Sequence, residues 1–235
     1  MAEPLIGESI TDIDSNEAGE TEVDLTGGIY HGREGLTWGT GTAEIEIRLT
    51  RRLGVSLEIA FAGAQDHGFQ GALNAGLSVA LWHDYRRDLH FQFEARALVS
   101  DGQLAPARLR PIPDDGAEPY AFGLRGAWRR RWLTLRFGLG PSIAGHGGSV
   151  PIWADAAILF EWGARRGVVS FAGVEVVTDW ASASPVVISP EVALAFRLGE
   201  VPVRVGLGVP CFVANRDRGP SVGAVLRIVF EFERD

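Results

Sequence analysis

Apolar and polar residues alternate with a period of two from Thr21 almost to the end of this chain. In the clearest window, residues 43–49, apolar residues occupy positions 43, 45, 47 and 49, and charged residues occupy positions 44, 46 and 48. Successive side chains of a β-strand point to opposite faces of the sheet, so this pattern predicts strands with one apolar and one polar face. No stretch has the spacing of an amphipathic helix over three turns. We therefore predict an all-β chain.

The alternation divides into twelve segments, most of them roughly ten residues long. Strands of globular proteins average about 5–6 residues, whereas a tilted strand that crosses a bilayer needs about 9–11. The segment length therefore favours membrane-spanning strands. The twelve predicted strands are residues 21–30, 42–50, 54–62, 71–82, 89–99, 120–128, 133–142, 154–162, 168–177, 190–198, 203–212 and 221–232.

Short and long connections alternate along the chain. The short ones, near residues 51–53, 83–88, 129–132, 164–167 and 199–202, mostly carry Arg, and the others are generally longer and rich in Gly, Pro, Asp and Ser. This alternation of short and long connections is typical of an antiparallel up-and-down transmembrane β-barrel with short periplasmic turns and longer extracellular loops. An even number of strands places both ends of the barrel chain on the short-turn side.

Composition excludes several other classes of protein. The chain has 235 residues, a net charge of −8 and a hydrophobic share of 46%, which argue against a nucleic-acid-binding protein and against a disordered chain. Its single Cys excludes a disulfide framework and every multi-Cys metal site. No window of about 18 apolar residues exists that could form a membrane-spanning helix.

The first twenty residues differ from the rest of the chain. They carry six carboxylates, no base and no alternation, so we predict a flexible acidic segment at 1–20 ahead of a barrel domain at 21–235. They also lack the basic and apolar regions of a signal peptide. We expect that a signal has been removed or replaced by the starting Met, or else that the protein is cytosolic.

The two faces of the strands could be arranged in either of two ways. A soluble β-sandwich would turn the large Leu, Phe and Val set inward, whereas a membrane barrel turns it toward lipid and the charges toward the lumen. The aromatic residues favour the barrel, because all seven Trp and all three Tyr lie near strand ends, as membrane-interface girdles require. One predicted band comprises Trp82, Tyr85, Trp128, Trp132 and Trp162, and the other comprises Trp38, Trp153, Trp180, Tyr30 and Tyr120.

These features resemble the outer-membrane β-barrels of Gram-negative bacteria, particularly the small twelve-stranded channels. The resemblance covers residues 21–235 and is architectural, with no motif of a subfamily, and the three residues after Phe232 depart from the aromatic C-terminus usual in that class. It implies an outer-membrane location, assembly from the periplasm and passive diffusion of small solutes.

The predicted lumen is lined by charged residues. We expect an acidic wall on the first three strands, with Arg48 as the main exception, and an Arg-rich wall with Glu191 and Glu231 among its residues on strands six, seven, ten, eleven and twelve. A field across the lumen would lie between the two walls. Many inner positions carry small residues, which favours a narrow aqueous passage over a plug of ion pairs. The predicted pore-lining residues are Glu44, Glu46, Arg48, Glu58, Glu94, Arg96, Arg125, Arg136, Asp155, Glu161, Glu191, Arg197, Arg204, Arg227 and Glu231.

We therefore predict an outer-membrane channel for small hydrophilic or zwitterionic solutes, in contact with outer-membrane lipid and without a cofactor. The alternatives are a sealed structural or adhesion barrel that binds a partner through its loops, a lipid-modifying barrel enzyme, and a soluble β-sandwich. The enzyme is disfavoured because the sequence contains no G-x-S-x-G motif and no nucleophile and base on adjacent strands. The 100–119 loop could narrow the mouth or remain exposed.

Overall fold

The structure is a computed structural model that describes residues 18–32, 37–64, 68–84, 89–101, 120–143, 152–165, 168–179, 186–213 and 220–232. Its strands are β1 (Thr21–Gly32), β2 (Thr37–Arg48), β3 (Leu53–Ala64), β4 (Gly68–Asp84), β5 (Leu89–Asp101), β6 (Tyr120–Arg130), β7 (Leu133–Ile143), β8 (Ile152–Arg165), β9 (Val168–Asp179), β10 (Val186–Leu198), β11 (Val201–Gly208), β12 (Cys211–Phe212) and β13 (Pro220–Phe232). Residues 1–17 of the predicted acidic segment and residues 102–119 of the 100–119 loop lie outside the described residues.

Each strand pairs antiparallel with its neighbour in the chain, and β13 returns to pair with β1 along its whole length. The short β12 continues the line of β11 between β10 and β13, so thirteen segments occupy twelve positions around the barrel. Closure pairs both edges of the sheet formed by the described strands. The predicted all-β, twelve-stranded antiparallel up-and-down barrel is confirmed.

The end of the barrel with the longer connections is called the loop end, and the end with the short turns is called the turn end. The strand boundaries differ from the prediction mainly at the loop end. β2 begins at Thr37 rather than at residue 42, because its Gly- and Thr-rich start pairs in continuous register with both β1 and β3. The predicted strand at 203–212 is interrupted after Gly208. Pro210 has no N–H to donate to a neighbouring strand, which breaks the ladder there and separates β11 from β12.

Two short turns among the described residues contain two residues each. Leu198 pairs with Val201 around Gly199 and Glu200, and Arg130 pairs with Leu133 around the corresponding two-residue turn. The first turn residue has a positive φ in both cases, 67° at Gly199 and 56° at Arg131. Glycine adopts this backbone conformation without a steric penalty, whereas the Cβ of Arg131 makes it costly.

The distribution of apolar and charged side chains is the reverse of that in a soluble protein. Large apolar residues such as Leu194, which is 47% exposed, cover the outer surface, while charged residues such as Glu175, which is 1% exposed, are buried inside. This arrangement matches a barrel whose outer face meets hydrocarbon and whose lumen is polar. No helix among the described residues is long and apolar enough to span a membrane.

Candidate functional site: the charged lumen

A row of carboxyl groups crosses the inner face of the first three strands. The strand register places Asp24 of β1 opposite Glu44 of β2, and Glu44 opposite Glu58 of β3. Glu58 in turn lies opposite Asn74 of β4, whose Nδ2 donates a hydrogen bond of 2.8 Å to Glu58 Oε1. Three acidic residues are therefore direct cross-strand neighbours on one wall of the lumen.

A second polar group lies nearer the turn end of the same wall. Ser78 Oγ donates to Glu46 Oε1 over 3.1 Å, and the Arg48 guanidinium forms an ion pair with the same carboxylate at 3.3 Å. A Cβ on Gly54 would lie 2.4 Å from Ser78 Oγ and 2.7 Å from Glu46 Oε1. The absence of a side chain at Gly54 therefore leaves room for this group.

Ion pairs join the strands at the seam where the barrel closes. Arg227 of β13 binds Asp24 of β1, and Arg204 of β11 binds Glu231 of β13. Both members of the first pair are almost completely buried. Part of the acidic wall is thus neutralised by Arg residues of the last strands.

Carboxyl and guanidinium groups also meet on the inner face of β7, β9, β10 and β13. Glu191 lies within hydrogen-bond reach of the Glu175 side chain and within electrostatic range of Arg136 and Arg227. Glu175, Glu191, Arg136 and Arg227 are all buried, as is Ser189, which lies opposite Glu175 in the register. This part of the lumen is filled by polar side chains.

The inner face of β5, β6 and β8 carries further buried polar residues. His90 Nε2 lies 3.1 Å from Gln92 Oε1, and Arg125 and Asp155 are buried on β6 and β8. Within the described residues, no three His, Cys, Asp or Glu side chains are placed to hold a metal ion.

The strand register shows where the predicted pore-lining residues lie. Arg129, which pairs with Glu161 at 2.8 Å, and Arg197, which donates to the carbonyl oxygen of Glu200, lie toward the turn end. The side chains of Glu94 and Arg96 lie outside the described residues, although their backbones pair with β4. Inward register positions on the strands are occupied by Glu44, Glu46, Arg48, Glu58, Arg125, Arg136, Asp155, Glu161, Glu191, Arg197, Arg204, Arg227 and Glu231.

The charges of the described inward residues can be compared with the predicted acidic and Arg-rich walls. The first three strands are acidic as expected, with Arg48 as the one base among their described inward residues. The other wall is mixed, because Asp155, Glu175 and Glu191 lie between the Arg residues. A buried guanidinium is costly without a nearby carboxylate, so the arginines of a largely filled interior are interleaved with acids.

The aromatic residues of the turn end lie on the outer surface. Trp82, Trp132 and Trp162 are each about half exposed, and Trp132 stacks on Phe160 with ring centroids 5.7 Å apart. Trp128 occupies an outward register position opposite Leu135. Tyr85 and Trp180 lie outside the described residues, as do the side chains of Trp38, Tyr120 and Trp153.

Tyr30 contradicts the prediction of an interface residue. Its ring lies inside the barrel, 1% exposed, against Phe212 at a centroid distance of 6.2 Å and over the backbones of Gly28 and Gly223. The reason is the parity of β1: Tyr30 follows Asp24 by an even number of residues and so shares its inward face.

Several buried lumen residues lie outside the predicted pore-lining set. Asn74, Gln92, His90 and Glu175 all occupy inward positions. The alternation of each strand indicates their orientation, because each of these residues lies an even number of positions from an inward charged or small residue of the same strand. Glu175 is the clearest case, because it is the one charged residue in an otherwise apolar run at 168–177.

Comparison with known proteins identifies the fold. An outer membrane channel from Pseudomonas putida F1 superposes with a TM-score of 0.61 at 13% identity, covering 94% of this chain and 98% of that one. The KdgM porin in complex with disordered oligogalacturonate gives 0.54 at 12% identity, covering 91% and 99%. The β domain of the Bordetella autotransporter BrkA gives 0.60 at 13% identity, covering 92% and 100%.

The sequence matches no protein-family model and no curated protein. The structural neighbours therefore establish the architecture, that of small outer-membrane barrels, as the sequence resemblance implied. Channels and an autotransporter domain share this architecture at similar TM-scores, so the assignment of a function depends on the lumen itself.

Proposed function

We propose that this chain is a passive channel of the bacterial outer membrane that passes small hydrophilic or zwitterionic solutes through a narrow charged lumen. The observation that carries the proposal is the opposite polarity of the two barrel faces, with aliphatic and aromatic side chains outside and carboxylates and guanidinium groups inside. A barrel whose only task was to anchor loops could have a fully apolar filling, whereas water and polar solutes require this lining.

The lumen is narrow because much of it is filled. The inward residues Arg125, Arg136, Asp155 and Glu191, on β6, β7, β8 and β10, are each no more than 6% exposed. Twelve strands also enclose less space than the sixteen of open porins. We therefore expect a low conductance and a small size limit for solutes.

Passage through such a lumen needs no cofactor and no catalytic step. A solute loses part of its hydration shell on entering and receives hydrogen bonds and charge contacts from the wall in exchange. The presence of both signs of charge suits solutes that carry both. The KdgM porin, a structural neighbour, was solved with a polar oligosaccharide, which supports small polar solutes as the class.

The direct test is reconstitution of the refolded chain in planar lipid bilayers. We expect discrete conductance steps that are absent from detergent controls and from chain that was not refolded. Replacing Arg197 and Arg204, inward Arg residues of β10 and β11 that are not buried, with Ala is expected to change the reversal potential in a salt gradient. Conductance with an unchanged reversal potential would remove those residues from the lining of the passage.

A sealed barrel is the second candidate, and the buried charges favour it. Arg227, Glu175 and Val225 are almost inaccessible to solvent, as expected of an interior closed by side-chain packing. Such a barrel would bind a partner through its loops and show no conductance above background after verified insertion. The bilayer recording therefore separates the two candidates.

A further inference from the structure

The inner face of β2 differs from most other inner faces in its exposure. Thr40, Thr42, Glu44 and Glu46 occupy four successive inward positions, and all four are partly exposed. We call these four residues the β2 row. They extend from near the turn end into the loop-end half of the barrel, so the opening at one mouth does not by itself account for their exposure.

Much of the opposite wall is closed. β8 lies six positions from β2 around the barrel, and its inward residues Asp155, Ala157 and Leu159 are all buried. Away from the turn end, the described inward residues of β6, β7, β10 and β13 are buried as well. Partly exposed inward positions form shorter runs on β4 (76–80) and β9 (169–173), so the longest such run among the described inner faces is that of β2.

The chemistry of this accessible wall is acidic. Glu44 has Asp24 and Glu58 as direct cross-strand neighbours, and Glu46 has Glu22. Like charges in directly opposed positions of a sheet destabilise it unless water or counter-ions separate them. Arg48, the single base among the described inward residues of β1, β2 and β3, pairs with Glu46, and Arg227 of β13 pairs with Asp24.

We propose that solutes pass along the β2 row and that this passage prefers cations, in particular small solutes with an ammonium group. The inference rests on the channel function proposed above and specifies the route and the solute class. A cation that moves along the row meets the carboxylates of Glu46 and Glu44 in turn, and then the hydroxyl groups of Thr42 and Thr40. Each of these oxygens can replace a water of the hydration shell.

The route is tested by cysteine accessibility. In a Cys211→Ser background, Thr42→Cys is expected to react with a cationic, water-soluble methanethiosulfonate reagent and to lose most of its single-channel conductance. Ala157→Cys is the matched control, because it also faces inward but is buried on the opposite wall. We expect its conductance to be unchanged. Modification of both sites, or of Ala157→Cys alone, would overturn the proposed route.

The charge preference is tested by reversal potentials in a potassium chloride gradient. We expect the unsubstituted channel to be cation-selective. Glu44→Gln should lower the cation-to-anion permeability ratio by up to about sixteenfold, because the loss of a unit charge met at about 5 Å through water changes the cation and anion Boltzmann factors by about fourfold each, in opposite directions. Glu200→Gln removes the same charge from an exposed turn outside the strands, and we expect a change of less than about 1.5-fold.

The outcomes separate this inference from the channel proposal. Conductance with anion selectivity, or with equal effects of Glu44→Gln and Glu200→Gln, would overturn the cation preference and leave the channel intact. Complete absence of conductance from correctly inserted protein would overturn both. A Glu44→Gln variant that fails to refold can be replaced by Glu46→Gln, for which a decrease of the same sign is expected because this carboxylate is the next in the β2 row.

Discussion

The guanidinium group of Arg227 on the last strand binds the carboxylate of Asp24 on the first strand, across the seam that closes the barrel. Both side chains are more than nine-tenths buried. A buried charge that loses its partner retains its desolvation penalty, so this ion pair is far more sensitive to substitution than an exposed one. The closure of the barrel is therefore secured by an electrostatic contact as well as by backbone hydrogen bonds.

Asp24→Ala is expected to lower the free energy of unfolding by about 3–5 kcal/mol, because Arg227 would stay buried without its carboxylate. Glu161→Ala is the control, since the Arg129–Glu161 pair is about one-quarter exposed on both sides and should lose less than about 1 kcal/mol. Reversible urea unfolding in detergent micelles measures both values. Equal losses for the two variants would contradict the role of the seam pair.

The position of the Tyr30 ring inside the barrel gives a second prediction. A Cβ on Gly223 would lie 2.4 Å from Tyr30 Cδ1, so Gly223→Ala should cost about 1–3 kcal/mol through overpacking. Gly27→Ala is the control, because a Cβ there meets nothing within 4 Å. The double variant Tyr30→Ala with Gly223→Ala should show less than the sum of the two single losses. Additive losses in urea unfolding would place the Tyr30 ring elsewhere.

The turn between β6 and β7 contains a correctable strain. Arg131 has a φ of 56°, which is unfavourable for a residue with a Cβ, so Arg131→Gly should stabilise the folded barrel by up to about 1 kcal/mol. Gly199→Ala at the equivalent turn position should have the opposite sign. The midpoints of urea unfolding provide the measurement, and destabilisation by Arg131→Gly would contradict the turn conformation.

The outer face supplies a depth-dependent prediction. Val192 lies near the middle of β10 and is 52% exposed, whereas Leu198 ends the same strand at the turn. In a bilayer, Val192→Arg should cost about 2–4 kcal/mol and Leu198→Arg about 0–1 kcal/mol, because the penalty falls toward the interface. Folding titrations into lipid vesicles measure both. Similar penalties at the two positions would argue against a membrane-spanning β10.

The architecture could be predicted from the sequence because every strand lies between the same two environments, lipid on its outer face and a polar lumen on its inner face. Residues 43–49 of β2 show the alternation most clearly, and the structure places Ile45 and Ile47 outside and Glu44 and Glu46 inside. Strand number, closure and the sides of the turns followed from this period and from the spacing of the connections. These are local properties of the chain, so they could be read without tertiary information.

The features that the sequence did not predict depend on contacts between distant strands. The place of Tyr30 near a strand end predicts a residue of the membrane interface. Whether its side chain faces the lumen or the lipid is decided instead by the alternation of β1 and by the space over Gly28 and Gly223. The start of β2 at Thr37 depends on pairing with β1 and β3. The mixed charges around Glu175 depend on which strands face one another across the lumen.

The central claim is that the outer apolar surface of this barrel is solvated by lipid. The most direct measurement is folding of the urea-denatured chain on dilution into short-chain phosphatidylcholine vesicles or into plain buffer, followed by far-ultraviolet circular dichroism and heat-modifiable gel mobility. We predict β-sheet and a heat-modifiable band in vesicles, with aggregation in buffer. A compact, monomeric β-protein that forms in buffer without lipid would contradict the claim.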